Sequence, residues 1–174
     1  IAMRGRPKDA WVEAVVGIGG PLLGTAGAAA VLMAGFATGH PLLFALASTG
    51  FLINLFNMIP VSPLDGGRIV GVFGRWLWAV GYILCGALIL LTWSPILIFI
   101  LVAGLVNLRR ILNPPPGYND VPGPRRALMA AGYFGGVCVM ALGMAVAQGF
   151  LGHLMPAETA ALHGVAVLAG LNDA

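Results

Sequence analysis

The 174 residues are 59% hydrophobic and 9% charged, with a mean hydropathy of +0.95. Soluble domains carry roughly a quarter charged residues, so this composition excludes a soluble globular enzyme and points to an integral membrane protein. The formal charge of +3 does not point to nucleic acid, because the nine basic residues are dispersed among connections between apolar runs.

Apolar runs of about 20 residues recur along the chain, the length a helix needs to span a bilayer. Helices satisfy their own backbone polar groups in lipid, and the short alternating segments of a barrel are absent. The predicted fold is all-α: one polytopic membrane bundle over residues 1–174 with about five transmembrane spans. Arg4, Arg6 and Lys8 form a basic leading segment, and Trp11 stands where an aromatic anchor meets the headgroups. The apolar run that follows is too long for a signal peptide, so the start at Ile1 reads as loss of an N-terminal part. The first span, about 12–36, carries Gly17, Gly20, Gly24 and Gly27 for close helix approach, and Pro21 predicts a kink or break. His40, beside Pro41, reads as a solvated turn residue. The second span covers about 42–59.

That span delivers Asn57, Pro60, Pro63, Leu64, Asp65, Gly66 and Gly67 in close succession. The prolines exclude a regular helix over 57–64. Irregular backbone at membrane depth is tolerated only inside protein or along a wet cavity, so a polar pocket is expected here. A charged group at the middle of a membrane helix costs about 2.5 to 3.5 kcal/mol, so Asp65 needs a partner. It is expected to cap a short helix over about 66–75, a role compatible with metal binding because a carboxylate has two oxygens.

The pattern Asn-x-x-Pro-x-x-Pro-Leu-Asp-Gly-Gly resembles the signature of the site-2 protease family of intramembrane zinc metalloproteases. The resemblance implies that Asp65 is the third protein ligand of a catalytic Zn2+, that Asn57 donates to the scissile carbonyl, and that Pro60, Pro63, Leu64, Gly66 and Gly67 shape the turn between them. Two further ligands and the general base would come from an upstream His-Glu-x-x-His. None of His40, His153 and His163 has that spacing. The implied partner is therefore a missing N-terminal segment supplying two His ligands and a Glu, and residues 1–174 alone are expected to be inactive and free of stoichiometric zinc. The family commonly has Gly-Pro followed shortly by Asn, where this chain has Gly24 and Thr25. The implied activity is cleavage of membrane-tethered protein substrates within the lipid bilayer, in regulated intramembrane proteolysis, by a multi-pass protein of the bacterial cell membrane. Two other readings stand beside it: a non-catalytic relative acting as membrane scaffold or substrate binder, and a small membrane transporter built on broken helices.

Beyond the motif, spans are predicted over about 76–93 and 96–112. Asn107 reads as a polar helix end and Arg109 and Arg110 as snorkelling side chains. The Pro-rich segment 113–124 reads as a stiff interhelical linker and 127–151 as the fifth span. Met129, Met140 and Met144 read as packing residues, as do Cys85 and Cys138. Glu158 and His163 are not spaced to make a metal pair. Basic residues fall in alternate connections, at 1–11, 60–75 and 109–126, which places those three on the cytoplasmic side.

Overall fold

The computed structural model describes residues 9–106 and 113–154. Among the described residues the regular structure is helical: α1 (Ala10–Thr38), α2 (Pro41–Asn57), α3 (Asp65–Ile69) running into a 3-10 turn (Val70–Val72), α4 (Arg75–Thr92), α5 (Pro95–Val106) and α6 (Gly123–Leu154). The sequence positions at Arg4, Arg6, Lys8, Asn107, Arg109, Arg110, Glu158 and His163 lie outside the described residues.

Local chemistry sets the helix ends. Asp9 is extended, and its Oδ1 accepts the Val12 N–H at 2.8 Å. Gly39 closes α1 at φ +68, a left-handed conformation suited to glycine, and its N–H returns to the Gly35 carbonyl. The exposed His40 caps α2 by accepting the Leu42 N–H on Nδ1 at 3.3 Å, with Pro41 in the first turn. Helix α1 continues through Pro21, so the expected break does not occur; Pro21 is fully buried, and the Thr25 hydroxyl donates to its carbonyl at 2.6 Å.

α1, α2 and α6 form one bundle. The pairs Gly35 with Phe44, Gly50 with Ala28 and Gly24 with Asn54 show α2 running antiparallel to α1. Helix α6 runs parallel to α1, with Gly132 beside Ile18 and the Phe150 ring 4.8 Å from that of Phe36. Its Gly143 admits the Phe51 ring of α2. A second, smaller core of Val61, Cys85, Leu97 and Ile100 joins the α4–α5 hairpin to the loop after α2. That hairpin turns at Trp93, left-handed at φ +48, whose N–H bonds the Ile89 carbonyl.

The Pro-rich connection is no free spacer. It folds back on the start of α1: the Ala10 N–H donates to the Tyr118 carbonyl at 2.9 Å, the Tyr118 hydroxyl donates to Glu13, and Val121 is buried. Arg125 then lies over the Trp11 ring, 5.6 Å from its centroid. The starts of α1 and α6 and the α3 side chain Arg68 thus share one end of the bundle.

Outside, the bundle is apolar. Leu23, Ile83, Leu91 and Phe99 are each more than 70% exposed, among many large aliphatic side chains facing outward. Helices α1 and α6 are long and apolar enough to cross a membrane, and α2, α4 and α5 are shorter apolar helices.

Candidate functional site

The motif folds back on itself because two glycines permit it. A Cβ on Gly66 would stand 2.2 Å from the Met58 carbonyl oxygen, and one on Gly67 would stand 2.5 Å from the Ser62 nitrogen. Backbone therefore packs directly on backbone, and the start of α3 is pressed against the end of α2. Met58 follows Asn57 and Gly66 follows Asp65, so this contact draws the two candidate site residues toward each other. Within the loop, Leu64 N–H bonds the Val61 carbonyl at 2.9 Å and Gly67 N–H the Leu64 carbonyl at 3.1 Å. The Ser62–Pro63 peptide is cis.

Asn57 is the last residue of α2 and half-buried, with no side-chain hydrogen bond among the described residues. Pro60 is half-buried, its carbonyl pressed by Gly81 of α4; Pro63 is exposed. Leu64 packs into the smaller core. Asp65 corrects an expectation. It is the first residue of α3 and not its cap, a position held by Leu64 without a side-chain bond, and the helix ends at Ile69 instead of reaching 75. The carboxylate is directed elsewhere: Oδ1 lies 3.8 Å from Arg68 Nη1, and Oδ2 faces Gly20 of α1, where a Cβ would stand 3.4 Å away. Its charge still suits the helix N-terminus.

Arg68 links Asp65 to α1. Its Nε lies 3.8 Å from Glu13 Oε1, and Glu13 also accepts from Tyr118. These ion pairs are too long for strong hydrogen bonds and act as through-space attraction. Burial pushes the Asp65 carboxyl above its ordinary range, and the Arg68 guanidinium pulls partly back. Gly20 lies roughly three turns from the start of α1, about 15 Å along the axis. The carboxylate therefore sits well inside the apolar length of α1, not at its end.

Two residues that sequence reasoning passed over hold the loop from other helices. The Tyr133 hydroxyl of α6 donates to the Met58 carbonyl at 2.6 Å, and the Trp78 indole N–H of α4 donates to the Gly67 carbonyl at 2.6 Å, both in buried surroundings. A polar-tipped aromatic in an apolar run needs a partner, and that requirement was the signal available in the sequence. Asn54, one turn before Asn57, was also passed over; its amide packs on Gly24 and donates to the Gly50 carbonyl at 2.8 Å. Tyr82 brings a buried hydroxyl, without a hydrogen-bond partner among the described residues, close to Gly104, where the Ser62 carbonyl also lies.

Zinc needs three or four protein ligands. Among the described residues no group of three His, Cys, Asp or Glu side chains converges. Asp65 offers one carboxylate, already beside a guanidinium, and His40 and His153 are exposed at the opposite end of the bundle. The described residues thus do not themselves fit a zinc ion.

A stretch of 69 residues is 36% identical to the zinc metalloprotease MJ0392 of Methanocaldococcus jannaschii. The similarity takes in 37% of this chain and 20% of that protein, so the chain spans about a fifth of its relative. No family model matches the chain, and no solved structure matches it at the same significance.

Proposed function

We propose that this chain carries the carboxylate-bearing part of an intramembrane zinc metalloendopeptidase of site-2 protease type, acting on membrane-tethered protein substrates. The observation that carries the reading is the packing of the Gly66 backbone, next to Asp65, on the Met58 carbonyl, next to Asn57, with the Asp65 carboxylate facing Gly20 part-way along the apolar helix α1. A partial match to a protein named as a zinc metalloprotease supports the same class. Five spans, with α2, α4 and α5 crossing beside α1 and α6, agree with the apolar exterior. A soluble monomer rarely exposes contiguous apolar surface beyond a few hundred Å2.

In this reading Asp65 gives one ligand, and two histidines and a glutamate base come from sequence outside residues 1–174. A zinc ion held by Asp65 and those outside ligands would supply a Lewis acid. Asn57, with its amide uncommitted among the described residues, donates to the substrate carbonyl as charge develops on it. The irregular backbone of 58–64 suits the handling of a substrate helix that must be unwound before cleavage.

A second reading has one observation in its favour. Arg68 already places a cation within 3.8 Å of Asp65, as a metal-free scaffold would require. Cleavage of a membrane-tethered substrate by the complete protein, with Asp65→Ala alongside, separates the two. Zinc-dependent cleavage that is lost in Asp65→Ala supports the protease; equal binding of substrate by both proteins without cleavage supports the scaffold.

A further inference from the structure

We propose that the Pro-rich connection before α6 is a strap that latches α3, and with it Asp65, onto α1 through Tyr118, Glu13 and Arg68, a role that requires neither a metal nor the protease reading above. A helix of five residues has no stability of its own, so the place of α3 is set by what holds it. Part of that hold is apolar, since Ile69, Val70 and Val72 are fully buried. On the α1 side the seat is bare: a Cβ on Gly17 would stand 3.2 Å from the Asp65 carbonyl oxygen and 3.3 Å from Arg68 Cβ. The charged tie across this seat runs from Arg68 Nε to Glu13 Oε1 at 3.8 Å.

The strap reaches the same tie from the other side. Its Tyr118 carbonyl accepts the N–H of Ala10, one of the donors left over at the start of α1, at 2.9 Å, and the Tyr118 hydroxyl donates to Glu13. Val121 anchors the strap in the main core. Turns within it, from Tyr118 N–H to the Pro115 carbonyl and from Asp120 N–H to the Gly117 carbonyl, both at 3.1 Å, give it a shape of its own. Glu13 therefore serves two elements that lie far apart in sequence. An ion pair near water is weak chiefly because both side chains must give up rotamer freedom to form it. Tyr118 fixes the Glu13 carboxylate in advance, which makes it a better anchor for Arg68. Arg68 in turn lies 3.8 Å from Asp65 Oδ1, so docking of the strap is felt at that carboxylate.

The test is amide hydrogen exchange, read by mass spectrometry, on the complete protein in lipid vesicles, with Tyr118→Phe and Glu13→Gln beside the wild type. Tyr118→Phe keeps the ring and removes the hydroxyl. Glu13→Gln removes the charge facing Arg68 and keeps an acceptor for Tyr118. A latch predicts that residues 66–72 exchange about three- to tenfold faster in both variants, and residues 113–122 faster in Tyr118→Phe, while α2 and the middle of α6 keep wild-type rates. Wild-type exchange in 66–72 of Tyr118→Phe, with the increase confined to 113–122 and the start of α1, would make the strap a local closure and overturn the proposal. Faster exchange along every helix would be general destabilisation, and overturns it equally. If Tyr118→Phe does not accumulate in the membrane, Glu13→Gln decides the matter: unchanged exchange in 66–72 overturns the latch.

Discussion

Asp65 and Asn57 flank the loop between α2 and α3 and differ in what their loss should do. Burial raises the Asp65 pKa above its ordinary value, and Arg68 pulls it partly back. Its contribution to stability is therefore present below the ordinary aspartate range and is lost as pH rises through the raised value. In residues 1–174 alone, Asp65→Asn should flatten that part of the pH dependence, as read from thermal unfolding between pH 3 and pH 7, both round figures bracketing the aspartate range; an unchanged profile would contradict the assignment. Under the proposed function, Asn57→Ala in the complete protein removes one donor to a developing oxyanion, and the expected loss is roughly 2.7 to 4 kcal/mol or ~10² to 10³ in rate, with zinc content unchanged. A parallel fall in zinc would assign Asn57 to the metal instead. The special character of both residues was legible in the sequence, since an acid and an amide interrupting an apolar run demand partners. The N-cap expected of Asp65 was not, because Asp at a helix start fits the cap and the first turn equally well, and only the contacts to Arg68 and Gly20 separate them.

Glycines decide which elements touch. Gly66→Ala would drive a methyl into the Met58 carbonyl, and Gly81→Ala another into that of Pro60 at 2.1 Å. Overpacking typically costs about 1 to 3 kcal/mol, and rigid backbone on the receiving side puts both variants at the upper end. By contrast, Gly19→Ala and Gly27→Ala on α1 meet nothing within 4 Å and should stabilise the helix by about 0.5 to 1 kcal/mol. Unfolding midpoints of the four variants in one detergent test the contrast; equal destabilisation would contradict it. The long apolar helices could be read from composition and length. Small residues every three or four positions on α1 also foretold close packing, but could not say that Gly17 and Gly20 receive the start of α3 while Gly24 receives Asn54. Those partners arrive through a loop whose path is set by backbone contacts, which no hydrophobic pattern encodes. The same limit hid the docking of the Pro-rich connection on α1, since polyproline composition describes stiffness and not where the chain lands.

At the scale of the whole molecule, the starts of α1 and α6 and Arg68 share one end of the bundle, while His40 and His153 lie at the other. Under the positive-inside rule the distribution of Lys and Arg predicts that the first end faces the cytoplasm. In intact cells, His153→Cys should react with a membrane-impermeant thiol reagent, whereas Arg125→Cys should react only after lysis; the reverse pattern would invert the topology. The central claim is that Asp65 is one ligand of a zinc ion completed by sequence beyond these residues. Zinc content and substrate cleavage of the complete protein carrying Asp65→Ser test it most directly, because serine is small and polar but a poor substitute for a carboxylate ligand. The account predicts loss of both zinc and cleavage. Full zinc occupancy with near-normal cleavage would contradict it.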